Sequence, residues 1–518
     1  MSLSIFLLTG LSTSSFFLAN FLTSVIEKNE HTITQLNFAI AQENEAALLY
    51  AWKQSKQGSQ NWQILAKQLS KNNGEIAYLL ADYYLNKAYL GKKFSSQPEQ
   101  AILWYQQAIR LNYPKASVAL AQLYFQRGNV VAAQNILSEL QVMEFSQYQG
   151  DDVAITAIIL TIKIAISIGD VEFAKSLLIK FSSLLQADEI GASLLSAVEK
   201  YQVFPSIGGT NLKLDNNSVT CPYSIQIFAT NLLHLAQVER LVMHFKDQPL
   251  NDLVCFSPVR YIPMSTLSCS TVLQSATLCD ETKLDEVADS VATRYIGIML
   301  PEGGANVHFG MLYFDAQDSI DVVEHEISHL LGFVDEYPLV KGHVKCRASQ
   351  QQVFAQNIAV LQNGYQGERS VVRAKILKQL AWAEQIKKST PILHVKDESL
   401  QNNQYWQLGT PEQFEQEVGL FRSQTCDNNS AKQQSTFNAF KPLSARTKLQ
   451  YDGLNFPKQY IALLNKKSSQ FLMPSFHYNI ALAYYQQNKL KQANYWLEQA
   501  ASWENDYGRR KKVRQGSF

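Results

Sequence analysis

At 518 residues, 46% hydrophobic and 18% charged, the chain has material for two or three globular domains and is not a disordered polymer. A formal net charge of +1 excludes a general electrostatic attraction to nucleic acid, so no nucleic-acid partner is expected.

From Met1 to Ile26 no side chain is charged, and Ile5, Phe6, Leu7, Leu8, Phe16, Phe17, Leu18, Phe21 and Leu22 make the stretch strongly apolar. Residues 1–30 are therefore expected to be a signal peptide or an uncleaved membrane anchor, although the basic flank of a secretion signal is missing. A cleavage-like Ala39-Ile40-Ala41 lies rather far downstream. The competing reading is a buried first helix.

Residues from about 42 to 200 read as helices and little else, predicting an α-helical repeat (solenoid) domain over 31–205. Ile76–Leu85 and Ala116–Phe125 are self-similar at an offset of 40, aligning Leu80-Ala81 with Leu120-Ala121 and Tyr84 with Tyr124. Small residues where helices touch, aromatics at outer contacts and Pro114 at a turn suit stacked helical hairpins and resemble tetratricopeptide and Sel-like repeats. A generic helical bundle would show much of the same patterning. A further unit, Tyr478–Ser502, predicts a C-terminal tetratricopeptide-like hairpin and basic tail over 466–518. The run Arg509–Arg514 is expected to be solvated, with a lipid or partner contact as the alternative.

The helical pattern ends near Ser206-Ile207-Gly208-Gly209, ahead of the polar run 215–218. Strand signals follow at Ser224–Thr230, Leu253–Val259 and Tyr295–Leu300, and Leu232–Phe245 has helical period between the first two. Asn306–Phe314 alternates, which puts Val307, Phe309, Met311 and Tyr313 on one face of a candidate edge strand, one able to hold an extended peptide. His308 is read as a strand residue, because three ligands are supplied elsewhere. All six cysteines lie between Cys221 and Cys426 without C-x-x-C spacing, which favours disulfides in an oxidising compartment over a thiolate zinc site. Their connectivity, one of 15 pairings, is not legible.

The most informative stretch is VEHEISHLLGFVDEY, Val323–Tyr337. Residues four apart share a helix face, so His325 and His329 can reach one metal ion with Glu326 beside them, the HExxH arrangement. With nine histidines in the chain, chance would produce this on the order of 0.01 times. Gly332 can end the helix in the left-handed conformation, and Asp335 can then return to the metal as third ligand. Two imidazoles and one carboxylate leave a fourth position for water, as a catalytic Zn2+ site requires, with Glu326 as general base rather than ligand. The alternative is a core helix whose histidines are only hydrogen-bonded. Burying them among Glu324, Glu326, Asp335 and Glu336 without a cation would be costly.

With HEISHLLGFVDEY in hand, residues 215–465 resemble the IgA-peptidase family of zinc metallopeptidases, whose sites read as HExxH, a small-residue turn and Asp-Glu-Tyr. The spacer is one residue shorter than in that family and equals the metzincin interval, so Asp335 is favoured as ligand with Glu336 as the alternative. Fainter likeness continues through Trp382–Ile386 with Thr390-Pro391, and through Val418–Phe421. Thr447–Tyr451 resembles the Ser-x-Met-x-Tyr turn that floors metzincin sites, with Leu449 in place of methionine and Tyr451 as a candidate to stabilise the oxyanion.

The resemblance implies an α/β zincin-like metallopeptidase domain over 206–465 in a multidomain protein. It further implies a periplasmic, envelope-associated or secreted hydrolase acting on a protein or peptide substrate, while the repeats would recruit substrate or a protein partner. Two other expectations stand beside it. One is a non-catalytic envelope scaffold with a zinc-stabilised domain, and the other an enzyme acting on envelope polysaccharide or peptidoglycan-linked peptide.

Overall fold

A computed structural model describes residues 17–90, 97–140, 152–204, 223–269, 279–395, 405–429, 437–467 and 470–518. Residues 1–16 of the expected leader, the polar run 215–218 and Cys221 lie outside these. The chain forms two compact units, one comprising residues 1–165 and 172–196 and the other 166–171 and 197–518.

The first unit is helical wherever it is described. Ile33–Ala41, Glu45–Gln54, Gln60–Leu69, Gly74–Leu90, Gln97–Arg110, Pro114–Gln126 and Val130–Ser138 follow one another, each packing on the next. Their starts are written locally: Thr32 forms a capping box with Gln35, and Asn44, Ser59 and Asn129 each accept a hydrogen bond from the first turn. Pro114 occupies the first turn of its helix, where no backbone donor is needed. The segments aligned at an offset of 40 fall within Gly74–Leu90 and Pro114–Gln126, and Leu80, Ala81, Leu120 and Ala121 are buried together in one core. Residues 17–27 are also helical, with Leu22 and Ile26 packed on Ala39 and Ala47 while Phe17, Leu18 and Phe21 stay exposed. No helix among the described residues is long and apolar enough to cross a membrane.

The second unit is built on a mixed sheet. In chain order its elements are β1 (Tyr223–Ala229), α1 (Leu232–Phe245), β2 (Val254–Phe256), β3 (Arg260–Tyr261), β4 (Tyr295–Leu300), β5 (Asn306–His308), β6 (Met311–Asp315) and α2 (Ile320–Leu330). The strand order is β2-β1-β4-β6-β5 with β3 also on β1; every pairing is parallel except β5 on β6. β4 is buried along its whole length, as its unbroken apolar run requires of a central parallel strand.

Asn306–Phe314 is not one strand. It is a hairpin, because Phe309 takes a φ of +47° and Gly310 has no room for a side chain: a Cβ there would lie 2.4 Å from the backbone nitrogen of Phe476. Asn479 clamps the turn, accepting from the Gly310 N–H at 3.1 Å and donating to the His308 carbonyl at 2.5 Å. The edge is therefore the short β5, which includes His308, and β6 lies inside the sheet.

One face of the sheet carries α1 and α2, with α2 packed on β5 and β6. The other is covered by α3 (His477–Gln486) and α4 (Leu490–Ser502); Ile480, Tyr484 and Trp496, with Phe476 just ahead of α3, share a core with Ile296, Ile298, Met311 and Tyr313. The C-terminal hairpin is thus part of the sheet-containing unit and not a separate module. The basic run is ordered, with Lys511, Lys512 and Arg514 exposed to solvent as expected. It forms a helix, Tyr507–Arg514, in which Val513 is buried, Arg509 is paired with Glu504 at 2.8 Å, and Arg514 with Glu498 at 2.7 Å. The charge count hid one apolar anchor and two acids within reach.

Between α2 and α3 the chain forms two small antiparallel sheets. Gly364–Gln366, Tyr405–Leu408 and Leu393–His394 make one; Ala359–Gln362, Phe437–Lys441 and Phe421–Arg422 make the other. Trp382, fully buried, donates its indole N–H to the Gly419 carbonyl at 2.8 Å, so the segments around these two residues meet in space. Cys269 is bonded to Cys279 and Cys346 to Cys426, and Cys255 is also in a disulfide. Such bonds fit an extracytoplasmic, oxidising location.

Candidate metal centre

The helix that carries the motif starts at Ser319, whose hydroxyl accepts from Val322 N–H, and buries Val323, Ile327 and Leu330 on the core side. It ends as the sequence requires. Gly332 has φ +88°, its N–H donates to the His329 carbonyl, and Phe333 N–H reaches back to the Ser328 carbonyl, the paired bonds of a Schellman turn. No other residue fits at 332, since a Cβ would lie 2.4 Å from the Phe471 carbonyl oxygen. Asn357 then holds Val334 from both sides, accepting its N–H at 2.9 Å and donating to its carbonyl at 2.8 Å. That hold delivers Asp335 back to the helix.

His325 Nε2, His329 Nε2 and Asp335 Oδ1 form a small triangle with edges of 3.1, 3.2 and 3.2 Å. Each imidazole hands its other nitrogen to a carbonyl: His325 Nδ1 to Lys448 at 2.8 Å and His329 Nδ1 to Phe333 at 3.1 Å. With the proton on Nδ1, two neutral rings turn lone pairs toward each other and toward a carboxylate. Three such donors repel unless protons or a cation lie between them. An ion with tetrahedral bonds of about 2.0 Å has ligand-to-ligand edges of about 3.3 Å, close to the triangle found. Glu326 also lies within 4.8 Å of both imidazoles as a carboxylate neighbour, but Asp335 is the nearer acid.

The electrostatics follow from this crowding. Burial opposes a charged His329, yet the Asp335 carboxylate beside it outweighs burial and raises its pKa to about 9. Burial raises Asp335, but the two imidazoles prevail and hold it well below the usual carboxylate range. Burial pushes Glu326 above its ordinary value, against the pull of both histidines.

Glu336, the alternative ligand, is committed elsewhere. Its buried carboxylate pairs with Lys441 at 2.8 Å and accepts from Tyr460 at 2.5 Å and Asn357 at 3.2 Å. The Thr447–Tyr451 turn does lie under the histidines: Lys448 O accepts from His325, and Leu449 is fully buried with its carbonyl accepting from Glu336 N–H. The hydroxyl of Tyr451 makes no hydrogen bond to the ligand side chains among the described residues; its exposed ring lies against the Arg446 guanidinium at 5.3 Å. Tyr337 is the tyrosine that touches the site. Its ring lies parallel to that of His325 with centroids 6.3 Å apart, and burial, with the Asp335 and Glu326 carboxylates nearby, raises its pKa.

No family model, curated protein or solved structure matches this chain. What can be said of the site therefore comes from its own geometry.

Sequence reasoning missed four supports. Lys448 is buried and pairs with Glu324 and Asp321 at 2.7 Å each, bracing the turn against the helix. Lys441 neutralises Glu336, and Thr425, next to a bonded cysteine, donates to the Asp335 carbonyl at 2.8 Å. Tyr337 is the fourth, and its place two residues after Asp335 was the one signal available.

Proposed function

We propose that the chain is a zinc-dependent endopeptidase of the IgA-peptidase-like kind, in which His325, His329 and Asp335 hold Zn2+ and Glu326 is the general base. The observation that carries this reading is the triangle of Nε2, Nε2 and Oδ1, with both Nδ1 protons fixed on carbonyls. This donor set suits zinc, and two imidazoles with one carboxylate are the three ligands of a catalytic rather than a structural site. When bound, the ion supplies Lewis acidity to the attacking water and to the scissile carbonyl.

The protein's own groups do the rest. Glu326, half-buried and raised in basicity by desolvation, takes the proton of the attacking water and delivers it to the leaving amine. The Tyr337 hydroxyl offers a hydrogen bond to the developing oxyanion, the role that sequence alone assigned to Tyr451. The sequentially packed helices of the first unit would recruit substrate or a protein partner. Location outside the cytoplasm is supported by the disulfides.

The test is zinc content and proteolysis measured on the same preparations of the full chain. Glu326→Gln is expected to keep one zinc per chain and lose peptide hydrolysis on the order of 10²-fold or more. His329→Ala is expected to lose the zinc. Equal turnover by Glu326→Gln would overturn the mechanism, and retained zinc without turnover in the wild type would leave the non-catalytic scaffold.

A further inference from the structure

Beyond Asp335 the chain runs through Lys341, His343, Lys345 and Arg347, a basic residue at every second position, and no Asp or Glu occurs between Glu336 and Glu368. The segment is anchored beside the metal centre by one residue. Thr425 accepts the Leu339 N–H at 2.9 Å through its carbonyl and donates to the Asp335 carbonyl at 2.8 Å through its hydroxyl. The Cys346–Cys426 disulfide closes the same loop, and Asn428 donates to the Leu339 carbonyl at 3.1 Å.

Among the described residues none of these cations has a carboxylate partner. Arg347 donates to its own Gly342 carbonyl, and the nearby acid Asp427 is paired with Arg422 at 3.3 Å. Lys345 is the anomaly. It is half-buried, its ammonium lies 5.9 Å from the Phe354 ring, and burial pushes its pKa down while the field of Asp335 pulls it up. The ammonium is only partly withdrawn from water, so an arriving carboxylate can still reach it. Its neighbour Cys346 is bonded to Cys426, next to the Thr425 that holds Asp335, so the lysine sits on the segment tied to the ligand turn. His343 adds a neutral donor: its Nδ1 accepts the Lys345 N–H at 3.2 Å, which leaves the proton on Nε2.

We propose that Lys345, with His343 beside it, binds a carboxylate of the substrate, so that the site takes acidic peptides. The inference rests on the metallopeptidase reading and names the substrate class of the same centre. Two sources share this chemistry, an Asp or Glu side chain near the scissile bond and the free C-terminus of a short peptide.

The experiment compares zinc-loaded full-length wild type, Lys345→Met, Lys345→Arg and Lys345→Glu on matched peptides. One set carries Glu or Gln at successive positions around a cleaved bond, and the other has a free or an amidated C-terminus. Wild type is expected to favour the carboxylate member of a pair about tenfold or more in kcat/KM, the scale of a charge-assisted hydrogen bond. In Lys345→Met that ratio should fall toward one; Lys345→Arg should keep it, and Lys345→Glu should reverse it toward the Gln or amidated member of a pair. Loss confined to Glu/Gln pairs assigns a side chain, and loss confined to free/amidated pairs assigns the α-carboxylate. An unchanged ratio in Lys345→Met with normal zinc content overturns the proposal. Should wild type cleave no peptide, the same pairs carrying a fluorophore are titrated onto zinc-loaded Glu326→Gln. Equal affinities within the pairs then overturn the carboxylate site, whereas tighter, Lys345-dependent binding of the acidic member upholds it without the peptidase.

Discussion

Lys448→Met tests whether the proposed metal centre is held from below. In the wild type the buried ammonium pairs with Glu324 and Asp321 at 2.7 Å each, while the carbonyl of the same residue fixes His325 Nδ1 at 2.8 Å. Methionine fills the volume and removes the charge. Glu324 has no exposed surface, and its remaining partner is the Leu250 N–H at 3.0 Å, so it becomes a buried charge without a counterion. Breaking a buried pair from one side costs about 3–5 kcal/mol. Asp321 is nearly half exposed and adds little to that figure. Loosening the acceptor of a ligating imidazole costs about 10–100-fold in metal affinity. Both effects are read on one preparation, by denaturant unfolding of the metal-free chain and by zinc competition against a chromophoric chelator. The double variant Glu324→Gln/Lys448→Met is expected to recover most of the stability, because neither partner is then left charged. It should recover little of the zinc affinity, since the ionic brace beneath His325 is still missing. Wild-type zinc affinity in Lys448→Met, together with a stability loss, would show that the lysine supports the fold and not the ligand.

Gly332→Ala should cost more than Gly342→Ala: both positions have positive φ, but only at 332 does a Cβ meet backbone, and strain alone costs about 1–3 kcal/mol. Equal losses in thermal or denaturant unfolding would mean that the close approach to Phe471 is not needed. Replacing Cys346 and Cys426 by serine removes a link 80 residues apart in sequence, against 10 for Cys269–Cys279; the first pair should lower stability by about 2–5 kcal/mol and weaken zinc binding, the second should leave zinc binding as it is. His477 is buried among Phe476, Trp496 and Trp503, and burial lowers its pKa from 6.5 to about 4. The unfolded chain then binds the proton more readily, so stability is full above about pH 6.5 and falls as pH drops toward 4, by about 2–3 kcal/mol. His477→Phe should flatten that slope in unfolding curves at pH 7 and 4.5, and an unchanged slope would place the acid sensitivity elsewhere.

What the sequence revealed and what it hid divide along one physical line. The ligand helix and its turn were legible because the contacts that make them are local: residues four apart share a face, and a Schellman turn needs its glycine two residues past the last helical position. β1, α1 and β4 were likewise found almost to the residue, since each is set by its own periodicity. Where a distant segment decides, the pattern misled. Alternation runs unbroken through Phe309-Gly310, yet the backbone of Ser475 and Phe476 forces a turn there. The Tyr478–Ser502 pattern is the same whether a hairpin packs on another repeat or, as here, on the sheet.

The same line explains why the histidines and Asp335 could be read from sequence as candidate ligands and the residues that hold them could not. Lys448 lies 123 residues from His325, and Lys441 lies 105 from Glu336; nothing in the local pattern of either segment marks them, because a lysine is usually a solvated residue. Each is recognisable only when burial is known. A buried lysine must have a counter-charge, and both lysines find theirs on the helix or turn that carries the histidines and Asp335. Lys345 obeys the same rule in the other direction: it is half-buried and lacks a carboxylate. Lys441 and Lys448 are already paired, so of the three lysines it is Lys345 on which the proposed substrate-carboxylate site rests.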